Sequence, residues 1–325
     1  MFDMRKMFFH FIYIVIVILL CLTTLEVYCR VKGMATLQHF RFTDFQNNKA
    51  FCPSTFLPFE LIPNIPHWTN SFGMRDKERN INKPKGIYRI IIHGDSISMG
   101  SYPHNLEEQL NEDFNNKVEV WNCSIGGQGI REYYNYLKYR SLNYKPDMII
   151  IGFCLNDFNL TPVMFKTADG ELHCYRPFQV LKGNFDNWLY CHSNLYRFIL
   201  ATIEEKYFGK FSPYAFGTEY LGKIKAIAQE RSIPLLAVIF PYFRSDSEES
   251  QEYKVMKRVI NELNVECIDL HKIFKREERY KFLQKDHLTD FIHPNEEAHA
   301  IVAEVIRQHI KQKIEQEIKI NINEH

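Results

Sequence analysis

An α/β fold with a parallel sheet, preceded by one apolar helix of membrane length, is what this 325-residue sequence predicts. Two observations carry the prediction. From Tyr88 onward, short and nearly continuous apolar runs alternate with stretches of helical period, as expected of strands covered on both faces by crossover helices. Ahead of them, Met7 to Leu25 holds 19 residues without a formal charge. Composition narrows the class further. With 46% hydrophobic and 24% charged residues the chain is not disordered, and its length suits one large domain. Forty basic against 39 acidic residues leave no electrostatic footprint for nucleic acid, and eight cysteines are too sparse for a disulfide scaffold.

The apolar segment comes first. As a helix, Met7–Leu25 spans about 28 Å, close to the thickness of a hydrocarbon core. Its β-branched residues disfavour helix slightly in water, but in lipid the backbone must satisfy itself. Arg5 and Lys6 would suit a cleaved signal peptide, yet no small-x-small site follows, and no lipoprotein context precedes Cys21 or Cys29. The expectation is an uncleaved anchor over residues 1–29. Arg30 and Lys32 balance Arg5 and Lys6, so charge barely orients it. A short tail and a single span favour a large C-terminal part outside the cytoplasm.

Residues 30–87 carry Pro53, Pro58, Pro63, Pro66 and Pro84 and read as a lead-in with little secondary structure of its own. The main domain is expected over 88–316, with 317–325 as a tail. Its strands are Arg89–His93, Val118–Asn122, Asp147–Gly152, Pro234–Phe240 and Val265–Leu270. Its helices fall at about 103–115, 129–142, 216–231, 248–263 and 296–316, the last starting after Pro294-Asn295. A segment of about 55 residues, 158–213, breaks the alternation and reads as a cap inserted over the sheet's edge. Its aromatics (Phe165, Tyr175, Phe178, Phe185, Trp188, Tyr190) either line a pocket or form a small satellite core. Cys174 and Cys191 would pair only in an oxidising compartment.

Ligands of open parallel sheets bind beyond the carboxyl ends of the strands, so the residues following each strand matter most. They are Gly94-Asp95-Ser96-Ile97-Ser98, the run Asn122 to Gly129, Cys154-Leu155-Asn156-Asp157, and Asp290-Phe291-Ile292-His293. Chemically these make an acyl-transfer site. Ser96 supplies the nucleophile, His293 removes its proton, and Asp290 orients the imidazole. The backbone N–H groups of Ser96 and Gly127 and the Asn156 amide make an oxyanion hole, each donor worth about 3 kcal/mol in the transition state. Taken singly, Ser96 and Asn156 would serve as caps, Gly127 as a turn and His293 as a loop residue. Four such elements in order, each beyond a strand, mean more.

Those four blocks resemble the GDSL, or SGNH, hydrolases, named for the Ser, Gly, Asn and His of the blocks. The resemblance runs from about Tyr88 to Ile310, with the insert outside it. It implies a flavodoxin-like three-layer α/β/α domain and an esterase with Ser96, Asp290 and His293 as triad and Ser96, Gly127 and Asn156 as oxyanion hole. Thr69 to Asp76 is similar to the segment preceding this domain in membrane-anchored bacterial members. One departure stands out: Cys154 holds the place of the third block's usual glycine, and a local backbone adjustment is expected.

Other motifs weigh less. Gly127-Gln128-Gly129 opens a helix like a dinucleotide fingerprint, but Glu132 takes the place of the third glycine. A Gly-x-Ser-x-Gly elbow is absent. His287, His293 and His299, six residues apart, match no zinc spacing. Cys123 and Cys154 read as buried thiols, and Asp269 as a helix N-cap. The chemistry requires no metal or organic cofactor. The expected partners are an acyl-ester substrate, lipid or acetylated carbohydrate, and the membrane. An O-acyltransferase using the same triad on a cell-envelope glycan, and a non-catalytic binding protein keeping the fold, remain alternatives.

Overall fold

The computed structural model describes residues 4–34, 50–52, 54–161, 163–166, 172–175, 184–208, 211–244, 246–284 and 290–323. Along the chain the elements are α1 (Met4–Val31), β1 (Phe51–Cys52), β2 (Glu60–Leu61), β3 (Tyr88–Gly94), α2 (Tyr102–Phe114), β4 (Val118–Asn122), α3 (Ile130–Tyr139) and β5 (Met148–Phe153). They continue with β6 (Val163–Lys166), β7 (Leu172–Tyr175), α4 (Asn184–His192), α5 (Asn194–Phe208), α6 (Pro213–Glu230), β8 (Leu235–Ile239), α7 (Gln251–Glu262), β9 (Glu266–Asp269) and α8 (Glu296–Asn323). Two units emerge: Met1–Asn48 with Pro162–Phe211, and Lys49–Thr161 with Ser212–His325.

The larger unit holds a five-stranded parallel sheet in the order β4-β3-β5-β8-β9. This is the flavodoxin-like winding, with its switch point between β3 and β5. All five strands fall where sequence periodicity predicts them. Right-handed crossovers place α2 and α8 together on one face and the α3–α6–α7 row on the other. Every residue of β3 and β5 is buried, which explains the apolar runs Ile90–Ile92 and Met148–Ile151 within them. Ile90, Ile92, Ile149, Ile150 and Val238 are among the sheet residues that build the core. Each contributes roughly 1.5–3 kcal/mol by leaving water.

Helix boundaries differ from expectation for local reasons. α6 starts at Pro213 because Ser212 caps it, its hydroxyl accepting from Ala215 N at 3.2 Å. α7 starts at Gln251 because Ser250 caps Tyr253 N in the same way, at 3.2 Å. α8 runs to Asn323 instead of stopping at 316, and part of the expected tail is helical. Ile314 is buried and Ile318 packs against the core, so its apolar side continues past the predicted end.

The lead-in from residue 50 belongs to this unit, and its strands are only two residues long. Phe51 and Phe59 meet edge to face at 5.3 Å and are buried. Arg79 bridges Asp76 at 2.8 Å and Glu107 of α2 at 2.6 Å, all three nearly sealed from water. A buried pair of this kind fixes register more than it adds stability.

In the smaller unit, β6 and β7 pair antiparallel and α5 packs on α1. The segment expected to cap the sheet thus supplies partners to the N-terminal helix. Glu26 of α1 accepts from Ser193 Oγ at 2.8 Å, Asn194 N at 3.1 Å and Leu195 N at 2.8 Å, capping α5 from outside. Arg30 donates to the His192 carbonyl at 2.5 Å. Among the described residues α1 is the one helix long and apolar enough to cross a membrane. The side chains of Phe165, Cys174, Tyr175 and Cys191, all of Phe178, and all of His287 lie outside the described residues.

Candidate active site

The sheet's register builds the site. Gly94 pairs with Gly152, and Ile92 with Asn122, so the carboxyl ends of β3, β4 and β5 align. Beyond them the loop after β4 folds onto the end of β3, with Ile125 N donating to Gly94 O at 3.1 Å. Ser96 sits on the turn after β3. A Cβ placed on Gly126 would lie 3.4 Å from Ser96 Cβ, so the Gly126-Gly127 turn borders the serine. Gly127 has φ +77°, a conformation costly for any residue with a side chain. Asn122, which sequence reading used only as context, steadies both loops. Its amide donates to Ser98 O at 3.0 Å, and its carbonyl oxygen accepts from Ser124 N at 3.1 Å.

The loop before α8 brings the other half. His293 Nε2 lies 2.8 Å from Ser96 Oγ, and His293 Nδ1 lies 2.8 Å from Asp290 Oδ2. The second Asp290 oxygen accepts from Ile292 N at 2.9 Å and His293 N at 3.1 Å. Burial alone would push the Asp290 carboxyl up, but these donors outweigh it and hold it below the usual carboxylate value. An ionised Asp290 only accepts, so Nδ1 carries the proton and Nε2 is left to accept from the Ser96 hydroxyl. The loop is pinned from behind: Phe243 N donates to Phe291 O at 2.7 Å, and Gln284 N to His293 O at 3.0 Å.

Asn156 is exposed on the turn after β5, while Asp157 beside it is buried. Asp157 Oδ2 accepts from Cys154 N and from Tyr133 OH, both at 2.9 Å, which clamps the turn that presents Asn156. Cys154 is buried and takes no positive φ, so a side chain fits where a glycine was expected. Burial drives the Asp157 carboxyl well above its ordinary range, and Asp95 nearby adds to the effect. Asp95, directly before Ser96, is pushed up to about 6 by its own burial.

The rival motifs resolve structurally. Glu132 is buried and reaches back to Gly129 N at 3.3 Å and to Thr161 Oγ1 at 2.6 Å. It occupies the helix N-terminus where a pyrophosphate would lie. A Cβ on Gly129 would stand 2.6 Å from Asp157 O, so that glycine serves backbone packing. His299 is buried and stacks on Tyr102 at 6.1 Å. Cys123 and Cys154 are buried and free.

One constellation was missed. Asp269 accepts from His271 N at 3.3 Å, the expected cap, but its Oδ1 also lies 3.0 Å from His271 Nδ1. His271 Nε2 in turn lies 2.9 Å from Ser247 Oγ. Asp-x-His at the end of β9 was visible in the sequence, whereas Ser247 had no spacing to betray it. This second line is sealed: Ser247 is wholly buried and already accepts from Tyr242 N at 2.9 Å.

The GDSL-like lipase/acylhydrolase family matches residues 92–301. Similar solved structures include a lipase/acylhydrolase from Enterococcus faecalis, 18% identical with a TM-score of 0.44, over 70% of this chain and 97% of that one. An acetyl xylan esterase is 15% identical with a TM-score of 0.45, over 68% and 99%. A GDSL-like lipase from Bacteroides thetaiotaomicron is 12% identical with a TM-score of 0.43, over 71% and 92%. No curated protein matches the chain.

Proposed function

The chain belongs to the GDSL-like lipase/acylhydrolase family and is a hydrolase acting on ester bonds; on that premise we propose that Ser96 is its nucleophile, working through an acyl-enzyme on an O-acyl ester of a lipid or an acetylated carbohydrate. The observation that carries this is the unbroken line from Asp290 through His293 to Ser96, with 2.8 Å at each step. His293 takes the Ser96 proton as Oγ attacks the ester carbonyl, and the imidazolium formed is stabilised by Asp290. The same proton passes to the departing alkoxide, releasing the alcohol. Water then attacks the acyl-enzyme with His293 again as base, which frees the acid and restores Ser96.

Charge on the carbonyl oxygen is met by the Gly127 N–H, the Ser96 N–H and the Asn156 amide. Asn156 is exposed and makes no side-chain hydrogen bond among the described residues, so its donors are available to substrate. Near-neutral net charge suits uncharged ester groups. We place the enzyme on a membrane through α1 as a single-pass anchor, with the catalytic unit outside the cytoplasm.

Replacing Ser96 by Ala tests the assignment. Hydrolysis of p-nitrophenyl acetate is expected to fall by about a thousandfold or more, with the circular dichroism spectrum unchanged. Unchanged hydrolysis would refute the role of Ser96.

A further inference from the structure

Five large apolar side chains of the insert face outward: Phe185 and Trp188 on α4, and Phe198, Ile199 and Ile203 on α5. On α4 they form an aromatic strip. Phe185 and Trp188 stack at 6.2 Å with planes 12° apart, and Trp188 and His192 at 5.0 Å and 20°. On α5, at about 100° per residue, Phe198, Ile199 and Ile203 share one side with exposed Lys206. The opposite side is spent on packing, where Arg197 and Leu200 of α5 are buried, as is Tyr190 of α4. A helix pair apolar on both sides needs a second cover.

The N-terminal helix indicates what that cover is. Glu26 is the first charge after the uncharged stretch, and it holds the α4–α5 corner through Ser193, Asn194 and Leu195. Arg30, one turn on, pairs with Glu26 at 2.6 Å and grips His192 O. A stretch of about 28 Å spans the hydrocarbon, so Glu26 and Arg30 come at the membrane–water boundary. The corner bonded to them comes there too. Trp and other aromatic rings concentrate at that depth, and a lysine stem reaches back from it to water.

Resting on the anchor reading, we propose that α4 and α5 lie in the lipid–water interface beside the spanning helix, with Phe185, Trp188, Phe198, Ile199 and Ile203 against lipid. The occupant is the bilayer surface, because the α4–α5 corner is bonded to the end of a helix whose apolar window is wholly unburied by protein. The insert is then a second, monotopic membrane element, held to the anchor through Glu26 and Arg30.

The test uses the full chain and its Trp188→Phe variant in phosphatidylcholine vesicles. Flotation after an alkaline carbonate wash comes first, and failure to float overturns the anchor reading and this proposal with it. In floating protein, the emission of Trp188 is the difference between wild type and variant. Lipid brominated near the headgroup is expected to remove most of it, and aqueous iodide little. Phe198→Trp in the Trp188→Phe background should behave alike on α5. Emission lost to iodide but not to bromolipid overturns the proposal while the anchor stands. Protection from both quenchers also overturns it, marking a face covered by protein.

Discussion

Ser96 and Ser247 each face a histidine that faces an aspartate, and burial separates their chemistry. Ser96 lies partly open at the strand ends, 2.8 Å from His293 Nε2. Ser247 has no exposed surface, and its oxygen already accepts from Tyr242 N. A nucleophile needs room for a tetrahedral carbon, which Ser247 lacks. Its line instead ties β9 to the 242–243 loop, whose Phe243 N–H holds Phe291 between Asp290 and His293. Ser247→Ala should therefore leave hydrolysis within about tenfold of wild type while costing about 1–3 kcal/mol of stability, because His271 loses a buried partner. Labelling by a fluorophosphonate should survive Ser247→Ala and vanish in Ser96→Ala. Labelling lost only in Ser247→Ala would reverse the assignment of the two serines.

Among the elements, α8 shows how directly a cap can serve a site. Asn295 Oδ1 accepts from Ala298 N at 3.0 Å, and its own N–H donates to Phe282 O at 2.7 Å, two residues beyond His293. Asn295→Ala is expected to cost about 1 kcal/mol in urea unfolding. Activity should fall further than that figure implies, because the same residue aligns His293. What could be read before the fold was known follows from how each element is buried. β3 and β5, covered on both faces, left short apolar runs alternating with helical stretches, and that alternation marked them as strands. Asp290 and His293 share one loop, so their pairing was local and legible. Ser247 and His271 meet across 24 positions with no period to reveal them. The bond from Glu26 to the α4–α5 corner was equally hidden, since a carboxylate just after an apolar span reads as solvated. Helix ends shifted wherever a serine cap, at Ser212 or Ser250, overrode apolar periodicity.

At the scale of the whole molecule, the site stores charge frustration that pH should expose. Asp95 and Asp157 are both buried beneath the Ser96 and Asn156 turns, and burial raises both carboxyls, Asp95 to about 6. Below the ordinary aspartate value near 3.8, folded and unfolded chains alike bind the Asp95 proton, and no penalty arises. As pH rises toward 6 the unfolded chain releases that proton first, so the stability Asp95 contributes in its protonated form is lost across this window. Asp290 works in the opposite sense. Its lowered value adds stability above the ordinary aspartate value, which disappears as pH falls through the folded one. Total stability therefore mixes opposing slopes, and a difference isolates one of them. Urea unfolding of wild type and Asp95→Asn from pH 4 to 7 should show the wild-type stability relative to the variant falling by about 2 kcal/mol between pH 4 and 6, then levelling. A difference that stays flat would mean that Asp95 is solvated in the folded protein, and that the floor under Ser96 is open to water.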